Sequence, residues 1–135
     1  MKYFVLFLLL LASCQASVDE PGNEVPTSLE ELSNPDKLSV YYFHGDGCPI
    51  CEQQKPFMDR LEREYDIDVV RLEIYYNRVN QQLFREVSAV YNTEPRGVPT
   101  TFIGEESWIG YNARIGGQIE SYIVECLQNG CEELI

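Results

Sequence analysis

Two cysteines, Cys48 and Cys51, are separated by Pro49 and Ile50 and follow an apolar run at residues 38–43. Thiols with two residues between them can close and reopen a disulfide, and a proline fits the first turn of a helix. We therefore expect a helix that begins at Pro49 and holds Cys48 at its N-terminus, where backbone N–H groups and the helix dipole favour a thiolate. The pattern predicts thiol–disulfide exchange, with Cys48 as the nucleophile and Cys51 as the thiol that resolves the mixed disulfide.

A second pair of cysteines, Cys126 and Cys131, lies near the C-terminus. Together the two pairs would supply the four ligands of a zinc site, so half of a zinc site is an alternative to redox chemistry for the first pair, as is a structural disulfide. For the second pair the interpretations are a local structural disulfide, a second redox pair and two buried free thiols. We expect a structural disulfide between Cys126 and Cys131, and neither a cofactor nor a metal.

Two further residues could take part in proton transfer. His44 is the only histidine and lies four residues before Cys48. Because imidazole changes charge near neutral pH, His44 either tunes the thiolate or is a solvated residue at the end of a strand. Glu73, in the second predicted strand, is either a proton relay or a solvent-facing residue at the sheet edge. We expect the solvated interpretation for both.

The N-terminus has the features of an export signal. A positive n-region, Met1-Lys2, precedes an apolar stretch at residues 3–11 that is too short to span a bilayer as a helix. The stretch ends in Leu11-Ala12-Ser13-Cys14, which resembles the lipobox of prokaryotic lipoproteins. The resemblance implies that residues 1–13 are removed and that Cys14 carries a lipid; an ordinary signal peptide with a spare cysteine is the alternative.

The remaining sequence predicts one small domain outside the cytoplasm. Residues 14–27 are polar and contain little to bury, so we expect a flexible tether there and a single domain at residues 28–135. A hydrophobic content of 44% is sufficient for a real core. The net charge of −12 argues against binding nucleic acid through a basic face. The protein is predicted to be anchored by its lipid to the cell membrane or outer membrane, facing outside the cytoplasm.

Hydrophobic periodicity gives the order of the elements. A capping-box pattern predicts a brief helix at residues 28–32. We expect strands at residues 38–43, 67–74, 99–103 and 107–111, and helices at residues 49–65, 77–91 and 115–129, the first of these kinked by Pro56. Two strand–helix units followed by a hairpin and a closing helix imply an α/β protein with a parallel crossover.

This order, with Cys-x-x-Cys at the end of the first core strand, resembles the thioredoxin-like superfamily over residues 37–128. Pro56 follows Cys51 by five residues, as the kink proline of thioredoxins does, and Gly116-Gly117 stands near the glycine that opens the last helix. Val98-Pro99 precedes the hairpin as the cis-proline of that family does. The resemblance implies a central mixed β-sheet (βαβα-ββα) flanked by helices. It also implies a cis bond before Pro99 and a substrate-binding role for Val98 and Pro99.

Two positions depart from the thioredoxin pattern. Gly47 stands where thioredoxins have a Trp, and Tyr42 stands where they have a buried Asp that accepts the proton of the second cysteine. A Pro at the first inner position is shared instead with glutaredoxins and periplasmic disulfide-forming enzymes. The departures predict a site that does not behave like that of cytosolic thioredoxin.

The pattern Gly-x-Gly-Cys-Pro-x-Cys, the segment at residues 94–100 and the terminal Cys-x4-Cys are together similar to envelope thioredoxin-like proteins. This resemblance implies a membrane-tethered thiol–disulfide oxidoreductase. Its partners would be the disulfides or thiols of envelope proteins and a membrane redox partner that recycles it. Related lipoproteins are often associated with cytochrome c maturation or transmembrane thiol relays, which slightly favours a reductase. The alternative is a non-catalytic lipoprotein of the same fold that binds peptides or acts like a chaperone, with a static disulfide.

Overall fold

The computed structural model describes residues 31–135. In that part of the chain the elements are β1 (Leu38–His44), α1 (Pro49–Glu64), β2 (Ile67–Glu73), α2 (Arg78–Val90), β3 (Thr100–Ile103), β4 (Glu106–Ile109) and α3 (Ala113–Asn129). The predicted α/β class and the βαβα-ββα order are confirmed. The signal peptide, Cys14, the tether and most of the short helix predicted at residues 28–32 lie outside the described residues.

The four described strands form one mixed sheet in the order β2-β1-β3-β4. Strands β1 and β2 are parallel, whereas β3 is antiparallel to both β1 and β4. The register aligns Tyr42 with Arg71 on one side and with Thr101 on the other, and aligns Thr101 with Trp108. Because directly opposed residues share a face, these four side chains form a row across the sheet.

Both faces of the sheet are covered, which is why β1 is apolar almost throughout. One face packs against α1 and α3 through a cluster that includes Met58, Leu61, Ile119 and Ile123. The other face packs against α2 through a second cluster that includes Leu83, Phe84 and Val87. The protein is therefore a three-layer sandwich in which β1 lies between the two clusters.

Side-chain caps set where the helices begin. The Asn77 side chain accepts the N–H of Asn80 at the start of α2, and the Asn112 side chain accepts the N–H of Ile115 at the start of α3. Strand β4 ends at Ile109, two residues earlier than predicted, because Gly110 has a positive φ of 82° and leaves the extended conformation. Within residues 31–135, none of the helices is both long and apolar enough to cross a bilayer.

The segment after α3 folds back onto the sheet. Cys126, near the end of α3, and Cys131, just beyond it, form a disulfide with a Cα–Cα distance of 4.8 Å. Beyond it, the Glu133 carboxylate accepts the N–H of Ser39 at 3.2 Å. Ile135 packs against the second cluster. The disulfide and these contacts hold the C-terminal tail against the rest of the domain.

Candidate active site

Cys48 and Cys51 lie where β1 feeds into α1. Cys48 is the N-cap residue of α1 and Pro49 occupies the first turn. The two cysteines form a disulfide with a Cα–Cα distance of 5.2 Å, and the Cys51 N–H donates to Cys48 Sγ at 3.2 Å. Such a donor also stabilises negative charge on the same sulfur once the disulfide is reduced. Both cysteines are buried, but Cys48, at 6% exposed, is more accessible than Cys51, at 2%.

Two glycines give the loop before Cys48 its shape. Gly45 is buried against the ring of Tyr75, where an added Cβ would lie 2.4 Å from the Tyr75 Cε2 atom. Gly47 has a φ of +81°, a conformation that side-chain-bearing residues rarely adopt. The backbone conformation at position 47 therefore favours glycine over any residue with a side chain.

The Val98–Pro99 peptide bond is cis and faces the first cysteine. Cys48 Sγ lies 3.8 Å from the Val98 carbonyl oxygen. The segment is fixed on both sides, since the Thr100 hydroxyl donates to the Gly97 carbonyl at 2.7 Å and the Gly110 N–H donates to the Pro99 carbonyl at 2.8 Å. The fold thus brings together the four residues predicted for catalysis and substrate binding.

A cavity of about 140 Å³ lies behind the second cysteine. It is lined by Tyr42, His44, Asp46, Cys51, Glu52, Lys55 and Arg71. The Tyr42 hydroxyl donates to the Cys51 carbonyl at 3.0 Å, and its ring stacks on His44 with the ring centroids 5.3 Å apart. Burial raises the pKa of Tyr42 to about 12, so this hydroxyl stays protonated at neutral pH.

His44 is the last residue of β1, as expected, but it is half-buried and not fully solvated. Burial lowers the pKa of His44 below its usual 6.5, and Asp46 and Glu73 oppose that shift while Lys55 supports it. The imidazole is therefore mainly neutral at pH 7. A neutral ring does not supply the positive charge that would tune the Cys48 thiolate.

Glu73 lies at the end of β2, an edge strand of the sheet, and is partly exposed, as expected, but its carboxylate is not free. Its carboxylate accepts backbone N–H groups from Asp46, Tyr75, Tyr76 and Asn77 at 2.6 to 3.3 Å. Asp46 belongs to the loop before Cys48, whereas the other three begin the connection from β2 to α2. Glu73 therefore fastens these two loops together beside the cysteines.

The second disulfide lies at the far end of β3. Cys131 Sγ would lie 3.1 Å from a Cβ at Gly104, just after β3, while Cys48 faces Val98, before β3 begins. The four residues of β3 that lie between these positions alone span about 10 Å, so the two disulfides are too far apart for four sulfurs to share one zinc ion. Among residues 31–135, no three His, Cys, Asp or Glu side chains are grouped so that they could hold a metal.

Sequence reasoning missed four residues near the site: Tyr75, which covers Gly45, and Glu52, Lys55 and Arg71, which line the cavity. Arg71 was detectable because it is a charged residue placed directly between the apolar Val70 and Leu72 within a strand. Its guanidinium pairs with Asp59 and Glu62 of α1, each at 2.8 Å. Lys55 carries no comparable signal, since it lies in a polar stretch, and nothing in the sequence around Tyr75 places its ring against Gly45.

No protein-family model and no curated protein matches the sequence. Solved structures do match. A putative thiol:disulfide interchange protein DsbE from Chlorobium tepidum aligns with a TM-score of 0.55 at 16% identity, over 73% of this chain and 84% of that chain. Thioredoxin f2 from Chlamydomonas reinhardtii aligns with a TM-score of 0.53 at 17% identity, over 78% of this chain and 93% of that chain.

A mutant thioredoxin from Halobacterium salinarum is similar to this chain to about the same degree as the two structures above. Its TM-score is 0.51 at 23% identity, over 73% of this chain and 86% of that chain. Similarity of this kind establishes the fold. The chain has the thioredoxin-like fold, as predicted, with its Cys-x-x-Cys pair at disulfide distance.

Proposed function

We propose that this protein is a thiol–disulfide oxidoreductase that exchanges disulfides with other proteins through Cys48 and Cys51. One observation carries the proposal. Cys48 caps a helix, its sulfur accepts a hydrogen bond from the Cys51 N–H, and it faces the carbonyl of the cis peptide bond between Val98 and Pro99. A helix N-terminus stabilises a thiolate, and a fixed backbone segment beside it can hold an extended substrate. The similarity of the fold to thioredoxins supports the same chemistry.

The reaction takes place in two exchanges. In the reduced protein, the Cys48 thiolate attacks a substrate disulfide, forms a mixed disulfide and releases one substrate thiolate. Cys51 then loses its proton and attacks Cys48 Sγ, which breaks the mixed disulfide and releases the second substrate thiolate. The substrate gains two electrons and the protein is left with the Cys48–Cys51 disulfide; the opposite direction runs the same steps in reverse.

Substitution of each cysteine tests the two roles. We expect Cys48→Ser to abolish insulin reduction, and Cys51→Ser to accumulate mixed disulfides that a non-reducing gel separates. The double variant Cys126→Ala/Cys131→Ala is the matched control, because its pair lies at the other end of β3. If Cys51→Ser traps no partner in cells, the assignment of Cys51 as the resolving thiol is wrong.

We favour the reductase direction, with envelope proteins as substrates and a membrane redox partner that returns electrons to the pair. A glutathione or dithiothreitol redox series measures the reduction potential of Cys48–Cys51. A value far below about −300 mV, together with no insulin reduction, would indicate a static bridge and favour the peptide-binding alternative. The oxidation state of the pair in cells decides the direction, since a reductase is recovered mainly as dithiol.

We further propose that the domain is exported and attached to a membrane by a lipid on Cys14. The signal pattern at residues 1–13 and the cysteine that follows it support this location. The mass of the mature protein should exceed that of the polypeptide from Cys14 onward by the mass of a lipid group. Cys14→Ala should remove the excess mass and release the protein from the membrane fraction; an unchanged mass in this variant would overturn the lipid attachment.

A further inference from the structure

The second exchange step needs a place for a proton to go. Cys51 is 2% exposed, so its thiol has almost no direct contact with solvent. Burial in apolar surroundings favours the neutral thiol, but only the thiolate attacks a disulfide. The carboxylate that thioredoxins place behind this cysteine is replaced here by Tyr42, whose hydroxyl is a donor to the Cys51 carbonyl. Another group must therefore take up the proton.

The cavity behind Cys51 leads to one side chain that fits this requirement. Cys51 and His44 both line it, and its volume of about 140 Å³ is well above the roughly 10–15 Å³ at which a polar cavity admits one water molecule. The His44 ring is held in place by its stack on Tyr42. His44 lines the cavity and is only half-buried, so part of its side chain also remains accessible to solvent.

We propose that His44 exchanges the proton of the Cys51 thiol through water in this cavity, an inference that rests on the proposed function. During resolution, the proton leaves Cys51 Sγ and passes through water to a ring nitrogen of His44. The resulting thiolate attacks Cys48 Sγ, the bond from Cys48 to the substrate sulfur breaks, and the substrate thiolate departs. His44 then returns its proton to solvent. When the disulfide is reduced, His44 supplies a proton to Cys51 by the reverse path.

The other ionisable groups around His44 come from three elements. Asp46 belongs to the loop before Cys48, Glu52 and Lys55 belong to α1, and Glu73 and Arg71 belong to β2. The Glu73 carboxylate already accepts four backbone N–H groups, and the Arg71 guanidinium already pairs with two carboxylates. Asp46, Glu52 and Lys55 are exposed. Of these side-chain types, only imidazole ordinarily changes charge between pH 5 and pH 8.

A chromogenic aromatic disulfide separates the two steps. Mixed with the reduced whole protein, it releases one coloured thiolate when Cys48 attacks and a second when Cys51 resolves the mixed disulfide. The phases that arise from Cys48 and Cys51 are identified as those that disappear in the Cys48→Ser variant. We expect His44→Gln to slow the second phase at least about tenfold at pH 7 and to change the first less than twofold.

The pH profile distinguishes proton transfer from a structural effect. In the wild type, the rate of the second phase should rise through a step whose midpoint lies below pH 6.5, because burial lowers the pKa of His44. The step should vanish in His44→Gln and persist in Tyr42→Phe, which keeps the ring on which His44 stacks. Added imidazole should accelerate the second phase of His44→Ala and leave that of the wild type unchanged.

Each contrary result has a separate meaning. If both phases occur but the second is unchanged in His44→Gln, or if Glu52→Gln removes the pH step instead, the role of His44 is wrong and the proposed function stands. Equal slowing of both phases in the His44 variants, without rescue by imidazole, would also overturn the role of His44. If Cys48 releases no coloured thiolate in the wild type, the proposed function itself fails.

Discussion

The carboxylate of Glu73 accepts the N–H of Asp46 at 3.3 Å and thereby links the end of β2 to the loop that precedes Cys48. The two residues are 27 positions apart in the chain. The same carboxylate also holds the first turn after β2. One side chain therefore fixes the relative positions of two loops beside the cysteine pair.

This contact should depend on pH. Partial burial raises the pKa of Glu73, but the four N–H donors lower it by more, so the folded-state value lies below the usual 4.5. The stabilisation is then fully present above pH 4.5 and is lost as the pH falls through the lower folded-state pKa. Following the amide signal of Asp46 by NMR during acid titration should show a transition below pH 4.5.

Removal of the charge should have the same effect at neutral pH. We expect Glu73→Gln to lower the free energy of unfolding by about 1–2 kcal/mol in urea at pH 7, because the amide has one oxygen for four donors. Glu86→Gln, on the exposed face of α2, is the control and should change little. An unfolding free energy for Glu73→Gln equal to that of the wild type would contradict the structural role.

Gly47 should tolerate no side chain without a cost. Its φ of +81° is unfavourable for any residue with a Cβ, so Gly47→Ala should lower the free energy of unfolding by about 1–2 kcal/mol. Gly117→Ala is the matched control, since nothing lies within 4 Å of its added Cβ and it is an exposed position in α3. That variant should stabilise the protein by about 0.5–1 kcal/mol, through helix propensity. Urea unfolding of both variants checks the prediction.

The contact between Gly45 and Tyr75 can be tested with a double-mutant cycle. Gly45→Ala places a methyl group 2.4 Å from the Tyr75 ring, so we expect a loss of about 1–3 kcal/mol or displacement of the ring. In a Tyr75→Ala background the same substitution should cost less, because the obstructing ring is gone. Equal costs in the two backgrounds would indicate that some other contact limits the size of the residue at position 45.

The Cys126–Cys131 disulfide should contribute stability without taking part in exchange. It closes a loop with a sequence separation of 5 residues, for which chain entropy gives about 2 kcal/mol. The double variant Cys126→Ala/Cys131→Ala should therefore unfold at a lower urea concentration, and amide hydrogen exchange should increase at residues 132–135. Insulin reduction should stay at the wild-type rate. A loss of reduction in a folded double variant would show instead that this pair relays electrons.

Much of the fold follows from local sequence. The apolar run at residues 38–43 predicted β1, Pro49 marked the start of α1, and Asn77 and Asn112 cap helices close to where periodicity placed them. The cis bond before Pro99 could be expected only from a resemblance, because X–Pro bonds in folded proteins are trans in all but about 5–6% of cases.

The environment of the cysteines was much less accessible to sequence reasoning. The four N–H groups that the Glu73 carboxylate accepts could not be predicted, because they depend on how two loops meet in space. The cavity behind Cys51 depends on residues from β1, α1 and β2 whose side chains converge only after the sheet has paired. Periodicity gives the face of an element, but not the space between elements.

The position of Trp108 has a practical consequence for spectroscopy. It is the only tryptophan of the chain, and its ring packs edge-on against Tyr122, with the ring centroids 5.6 Å apart. Tyr122 in turn lies beside Gly104, close to Cys131. Intrinsic fluorescence therefore monitors the junction of β4, α3 and the C-terminal disulfide. Emission should stay nearly constant while Cys48 and Cys51 cycle, so it can report unfolding during turnover without interference from the redox state of that pair.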